Sequence, residues 1–330
     1  MQQEEKLNLF IFNSNCCNRL AENSMKKFLV YGFIWLMCFL VIFIALDISI
    51  SSISRKYISR NSVKYAGWTY VFDDTITYDL VICGNSRAMV QYNPKVLDSV
   101  LNTNSINLGI DGSAINRQVV KFNNYIKHHA LPKLLIQNVD IFTMKKTVGF
   151  EKEQYYPYFY NRKFLREIDI DECFSFQEKY IPFWRYLGTY HIMNDLVADT
   201  IYKGYKFDSR SWDSSELDKI TTIDVEIDNE MVERYRYFIE NCKANAIQIV
   251  FVHAPYYHEV LDKCTNLDEY TNLWKDLSQE YNIHILDYTS DTICYKTDYF
   301  YNGTHLNKRG AELFSTKLAH DIDRLGLIKQ

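Results

Sequence analysis

Short apolar runs that do not alternate with polar residues recur after residue 79. They read LVIC (80–83), SINLGI (105–110), KLLIQNVD (133–140), AIQIVFVHAP (246–255) and IHILDY (283–288). A strand with one solvated face alternates; a run without alternation is buried on both faces. Amphipathic stretches such as SAINRQVVKFNNYIKHH, VERYRYFIENCKAN and DEYTNLWKDLSQEY separate the runs, and parallel strands need crossovers of this length. The pattern predicts an α/β fold, a three-layer α/β/α sandwich around a mostly parallel five-stranded sheet. Ligands of such sheets bind beyond the carboxyl ends of the strands. That rim would carry Ser86, Gly109, Asn138 and His253, each of which follows its own run.

A second constraint precedes the sheet. From Phe28 to Leu46 there is no charged residue, and such a run is long enough to cross ~30 Å of hydrocarbon as a helix. SISSIS (49–54) is a weak cleavage site for a signal peptide, and Met37 stands where a lipoprotein signal at Cys38 needs a small residue. A retained anchor is expected. Lys26, Lys27 and Arg19 on one side, against Arg55, Lys56 and Arg60 further off on the other, favour an inside N-terminus. The expected organisation is a short cytoplasmic segment (1–27), a transmembrane helix (28–46), a stalk (47–75) and a main domain (76–330). An aromatic-rich insertion at about 145–232 interrupts the alternation and is expected to fold over the rim as a helical lid.

Composition narrows the partners. The net charge is −4 and no basic tract occurs, so nucleic acid is not an expected partner. The chain holds 26 Tyr and 20 Phe, residues that can face sugars or simply fill a core edge. The main-domain cysteines Cys83, Cys173, Cys242, Cys264 and Cys294 lack metal-ligand spacing; a Cys264–Cys294 bridge is open but not expected. HAPYYH (253–258) suits neither one helix face nor a zinc motif. Neither a metal nor another cofactor is expected.

Four motifs follow one another: GNS (84–86), NLGIDG (107–112), QNVD (137–140) and NGTHLNKRG (302–310). Taken singly, Ser86 is a helix cap, Gly109 a turn glycine, Asn138 a strand-end residue and His305 a surface or cap histidine. Taken in order, they resemble the SGNH (GDSL-like) hydrolase superfamily, in its membrane-anchored cell-envelope branch related to alginate O-acetylation and teichoic acid D-alanylation proteins. The resemblance covers roughly 76–144 and 240–325. It implies Ser86 as nucleophile, His305 as base, and an oxyanion hole from the Ser86 and Gly109 N–H groups and the Asn138 side chain. Arg87, His253 and Asp140 are candidate residues of the substrate rim, and Arg87 is also a candidate to hold the nucleophile turn by pairing with a carboxylate.

The departure from the pattern is the acid. Three residues before His305 the superfamily carries Asp, and here stands Asn302. An amide oxygen can fix the imidazole tautomer but cannot stabilise imidazolium by charge, and the same replacement in a Ser–His–Asp triad lowers turnover about 10⁴-fold. A dyad oriented by Asn302 or a backbone carbonyl, another acid such as Asp298, and a degenerate site all remain open. The resemblance implies acyl transfer through an acyl-serine, by an esterase or O-acyltransferase (O-acetyl by default), on a cell-envelope or extracellular polysaccharide. It also implies a polytopic membrane O-acyltransferase partner and a domain outside the cytoplasmic membrane. The alternatives are a non-catalytic relative that binds glycan or supports such a partner, and, with the anchor reversed, a lipase or thioesterase facing the cytoplasm.

Overall fold

The computed structural model describes residues 2–55, 63–73, 75–146, 152–168, 173–188 and 201–328. The chain divides into two units, Met1–Ile50 and Ser51–Gln330. The first lies in helix α1 (Gln2–Ile53), whose stretch Asn23–Ile53 contains an 18-residue window of mean hydropathy 2.7 and is long and apolar enough to cross a membrane.

In the second unit, strands β1 (Leu80–Cys83), β2 (Ser105–Asn107), β3 (Leu134–Asn138), β4 (Gln248–His253) and β5 (His284–Asp287) form one sheet among the described residues. Their order is β2-β1-β3-β4-β5 and every pairing is parallel. Successive side chains of a strand point to opposite faces. Val81, Cys83, Ile106, Leu135 and Phe251 therefore enter one apolar core, and Leu80, Ile82, Leu134, Ile136 and Val250 enter the other. Both faces being dry explains why the runs do not alternate. Each such buried side chain contributes about 1.5–3 kcal/mol.

Helices supply the outer layers. On the first face lie α2 (Val63–Phe72) and α5 (Ile115–His128), followed by the later helices Asn229–Ala244 and Leu267–Tyr281. They contribute Trp68, Phe122, Tyr235 and Trp274 to that core. On the second face lie α3 (Ser86–Gln91), α4 (Pro94–Leu101) and the helix Lys308–Arg324, with Ala88, Leu97, Phe314 and Leu318 buried. The expected three-layer sandwich with a five-stranded parallel sheet is the observed fold.

Two expectations of organisation change. The segment read as a stalk contains α2, whose Trp68 is 1% exposed and donates from Nε1 to Gln154 Oε1 at 2.7 Å. YAGWTYVF is apolar enough to become part of the core, so the domain begins upstream of residue 76. The insertion is also not a uniform lid over the rim. Its first described part, Lys152–Tyr158 and Arg162–Glu167, packs Tyr155, Tyr158 and Phe164 against Trp68 and Phe72 on the flank of the sheet. Many of the aromatics counted in the sequence are thus core residues. Its later part begins with a hairpin, Ile201–Tyr202 and Tyr205–Lys206, beside β2, where Asn107 N donates to Lys203 O, and continues toward residues 300–306. Residues 147–151, 169–172 and 189–200 of the insertion lie outside the described residues. Among the described residues Cys264 and Cys294 are free thiols, so no bridge joins them.

Candidate active site

Ser86 follows β1 because the chain turns sharply at Gly84 and caps a helix at Asn85. A Cβ on Gly84 would lie 2.5 Å from Ala88 Cβ and 2.8 Å from Asn138 Cβ. Asn85 accepts from Arg87 N at 3.0 Å and starts α3, leaving Ser86 as its first residue, half-buried.

His305 reaches Ser86 from a two-stranded hairpin, Phe300–Asn302 and His305–Leu306, just before the last helix. Its Nε2 lies 2.9 Å from Ser86 Oγ, and its Nδ1 lies 3.0 Å from Asn302 Oδ1 and 2.9 Å from Thr304 Oγ1. Asn302 Oδ1 also accepts from the Thr304 and His305 backbone N–H groups. An amide oxygen can only accept, so the network assigns the proton to Nδ1 and leaves the Nε2 lone pair toward the serine hydroxyl. Asn302, and not Asp298, orients the base: Asp298 serves through its backbone oxygen, which accepts from Asn307 Nδ2.

Burial pushes the His305 imidazole down to about 3, and the charges of Arg87 and Arg210 add to the effect while Asp208 opposes it. The ring is therefore neutral at physiological pH and is a base that protonates reluctantly. Tyr301 stacks on it with ring centroids 5.3 Å apart, and the Arg210 guanidinium lies 4.1 Å from the Tyr301 ring centre.

The other candidates separate into those near the serine and those the fold withdraws. Asn138 is fully buried, with Oδ1 accepting from Tyr92 OH at 2.8 Å and Nδ2 donating to Asp140 Oδ2 at 3.1 Å. One of its two amide protons is left, beside Gly84. Gly109 packs against α3, since a Cβ there would lie 2.6 Å from Met89 N. Its N–H, however, donates to Asn107 Oδ1 at 2.9 Å. The expected oxyanion donor is thus already engaged, because Asn107 is fixed in place by donating to Ala88 O and Tyr92 O.

Arg87, His253 and Asp140 are not rim residues. Arg87 is 1% exposed and, among the described residues, pairs with no carboxylate; it donates to the backbone oxygens of Thr304, Ala254 and Pro255 and lies 3.3 Å over the Tyr256 ring. With Gln91, which also donates to Thr304 O, it braces the serine helix against the histidine hairpin. His253 is buried edge-on against Tyr270, and burial, opposed by the Asp287 charge and reinforced by Arg87, lowers its imidazole to about 4. Asp140 is fully buried and accepts from Asn138 and from Phe142 N. The Arg87 and Asp140 side chains satisfy polar groups that burial would otherwise orphan.

Sequence reasoning missed Asn107, Thr304, Arg210 and Glu216. Asn107 opens the quoted NLGIDG motif and Thr304 lies within NGTHLNKRG, so both were within sight. Nothing in the local sequence marks Arg210 or Glu216, which the insertion brings in from a distance. An open groove of about 670 Å³ is lined by Arg210, Trp212, Asp298, Lys308 and Arg309 among others, and neither Ser86 nor His305 lines it.

Serine after the first strand, glycine after the second, asparagine after the third and histidine before the last helix meet at one place. This is the order expected from the resemblance to SGNH hydrolases. No protein-family model matches the chain, and no curated protein matches it. Among solved structures it is similar to a Bacteroides fragilis protein assigned as an acylhydrolase (14% identity, 80% of this chain and 94% of that one, TM-score 0.41). It is also similar to a GDSL-like lipase from Bacteroides thetaiotaomicron (11%, 74% and 88%, TM-score 0.40). A third is a catalytic mutant of an acetylxylan esterase from Geobacillus stearothermophilus (11%, 78% and 100%, TM-score 0.40). At TM-scores near 0.4 these likenesses decide nothing about chemistry, and the functional reading rests on the side chains of this chain.

Proposed function

We propose that the chain is an SGNH-type serine acyl-transfer enzyme, an esterase or O-acyltransferase, held at a membrane by α1 and acting on an extracytoplasmic polysaccharide. The observation that carries the chemistry is the hydrogen-bond line Ser86 Oγ–His305 Nε2, His305 Nδ1–Asn302 Oδ1. A serine hydroxyl is a weak nucleophile until a neighbouring base takes its proton, and the line supplies that base in the required tautomer. As Ser86 Oγ bonds to an ester carbonyl carbon, its proton passes to His305 Nε2. The oxyanion is met by the Ser86 N–H and the remaining Asn138 amide proton. When the ester C–O bond breaks, His305 returns the proton to the departing alcohol. Water or a sugar hydroxyl then attacks the acyl-serine by the same steps in reverse. The groove with Trp212 and three cationic side chains, which Arg210 links to the Tyr301 ring stacked on His305, is the place proposed for a glycan. The acyl donor would come from a membrane O-acyltransferase partner.

A non-catalytic glycan-binding or scaffolding role is the second reading. Asn302 in the acid position and the engaged Gly109 N–H favour it. Labelling of the full chain in detergent by a fluorophosphonate separates the two. Wild type should label, and Ser86→Ala and His305→Ala should not. A folded wild type that stays unlabelled sinks the enzymatic reading.

A further inference from the structure

The charge missing from the Asn302 position is present one hydrogen bond further out. Asn302 Nδ2 donates to Glu216 Oε2 at 3.2 Å while its Oδ1 faces His305 Nδ1. We propose that Glu216, supplied by the insertion, is a positioning residue that acts through Asn302 on the Ser86–His305 pair. The proposal rests on the acyl-transfer reading above and deepens it. An amide whose N–H points at a carboxylate is polarised, and its oxygen becomes a better acceptor for the imidazole N–H. No proton reaches Glu216: the serine proton rests on His305 Nε2 and returns to the leaving group, while the carboxylate offsets part of the positive charge held meanwhile.

Two further observations support a built arrangement. The turn bearing Glu216 is anchored to the histidine hairpin: Asp213 N donates to Tyr301 O, and Leu217, 3% exposed, sits against Gly303. Lys263 Nζ donates to Leu217 O at 2.9 Å and to Ile220 O at 2.6 Å, which holds the turn from the far side. The charges around His305 also leave a need for an anion. Arg87 and Arg210 both disfavour imidazolium, and the opposing Asp208 is taken up by a bidentate pair with Arg210. Glu216 thus makes a catalytic hairpin at residues 300–306 depend on a turn some 85 residues earlier in the chain. Activity would follow the seating of the insertion.

Glu216 is exposed, so solvent screens it and a modest effect is expected. The test is the second-order rate of fluorophosphonate labelling for the full chain in detergent. It compares wild type, Glu216→Gln, Asn302→Asp and the double variant, each checked for an unchanged melting temperature. In the wild-type background Glu216→Gln should slow labelling about 3- to 10-fold, below the range for one charged hydrogen bond because solvent screens the carboxylate. In the Asn302→Asp background two carboxylates face each other, and Glu216→Gln restores a donor, so there it should speed labelling by a similar factor. A general loosening of the loop cannot reverse sign in this way. The same effect in both backgrounds, or none in either, overturns the role of Glu216 and leaves the acyl-transfer reading standing. Wild type that does not label overturns both.

Discussion

Lys121 offers a sharp test of how the glycine turn of the site is held. It lies on α5, is 2% exposed, and donates from Nζ to Gly109 O at 3.4 Å, with the Trp68 ring 5.5 Å away. Burial pushes its ammonium down from 10.5 to about 7. A shift of that size, at about 1.4 kcal/mol per unit, destabilises the fold by about 5 kcal/mol wherever both states are protonated. The folded value is the lowered one, so between pH 7 and 10.5 the unfolded chain binds a proton that the native chain lacks. Stability therefore rises with pH across that window. The penalty is about 5 kcal/mol at pH 6 and about 2 kcal/mol at pH 9 by the same relation. Lys121→Met removes the charge, keeps most of the volume, and forfeits a long hydrogen bond and a cation–π contact worth about 1–2 kcal/mol together. Urea unfolding of the detergent-solubilised chain should show the variant about 3 kcal/mol more stable than wild type at pH 6 and nearly equal to it at pH 9. Other titrating groups cancel in that difference. Parallel pH dependences, or a variant less stable at pH 6, would refute the reasoning that burial is uncompensated there. The variant should also label more slowly, because the Gly109 turn loses its anchor.

Other outcomes follow from the same geometry. Fluorophosphonate labelling should stay flat from pH 8 down to about 5, because a base lowered to about 3 remains unprotonated there; an acid limb centred near the ordinary histidine value of 6.5 would contradict the burial of His305. Gly109→Ala should lower stability by about 1–3 kcal/mol, read as a drop in melting temperature, because the new Cβ meets backbone and not a movable side chain. Tyr92→Phe removes the donor to Asn138 Oδ1 and should cost about 1 kcal/mol in unfolding experiments, with slower labelling as Asn138 loses its orientation.

Much of the site was legible because its members sit at element ends that short-range patterns mark. Ser86 follows an apolar run, Asn138 ends one, and His305 lies in a glycine-containing turn before an amphipathic helix. The roles given to Arg87, His253 and Asp140 were not legible for a common reason. A charged or polar residue next to a motif reads as accessible in one dimension, and only packing shows that Arg87 spends its donors on Thr304, Ala254 and Pro255 oxygens. The insertion was misread in the same manner. Its Tyr and Phe residues meet α2 in the core, a pairing between segments tens of residues apart that no local pattern encodes.

The sequence by itself determined the layers and the order of the strand ends, because burial on both faces of a sheet and the helical period are properties of neighbouring residues. It also determined that a helix near the N-terminus is long and apolar enough to span a bilayer. Tertiary structure alone decided the state of the site. It closed Ser86 onto His305, tied the Gly109 N–H to Asn107, and set Glu216 behind Asn302. Hydrogen bonds and fields act over a few ångströms of space, whatever the separation along the chain, so these contacts exist only once the chain is folded.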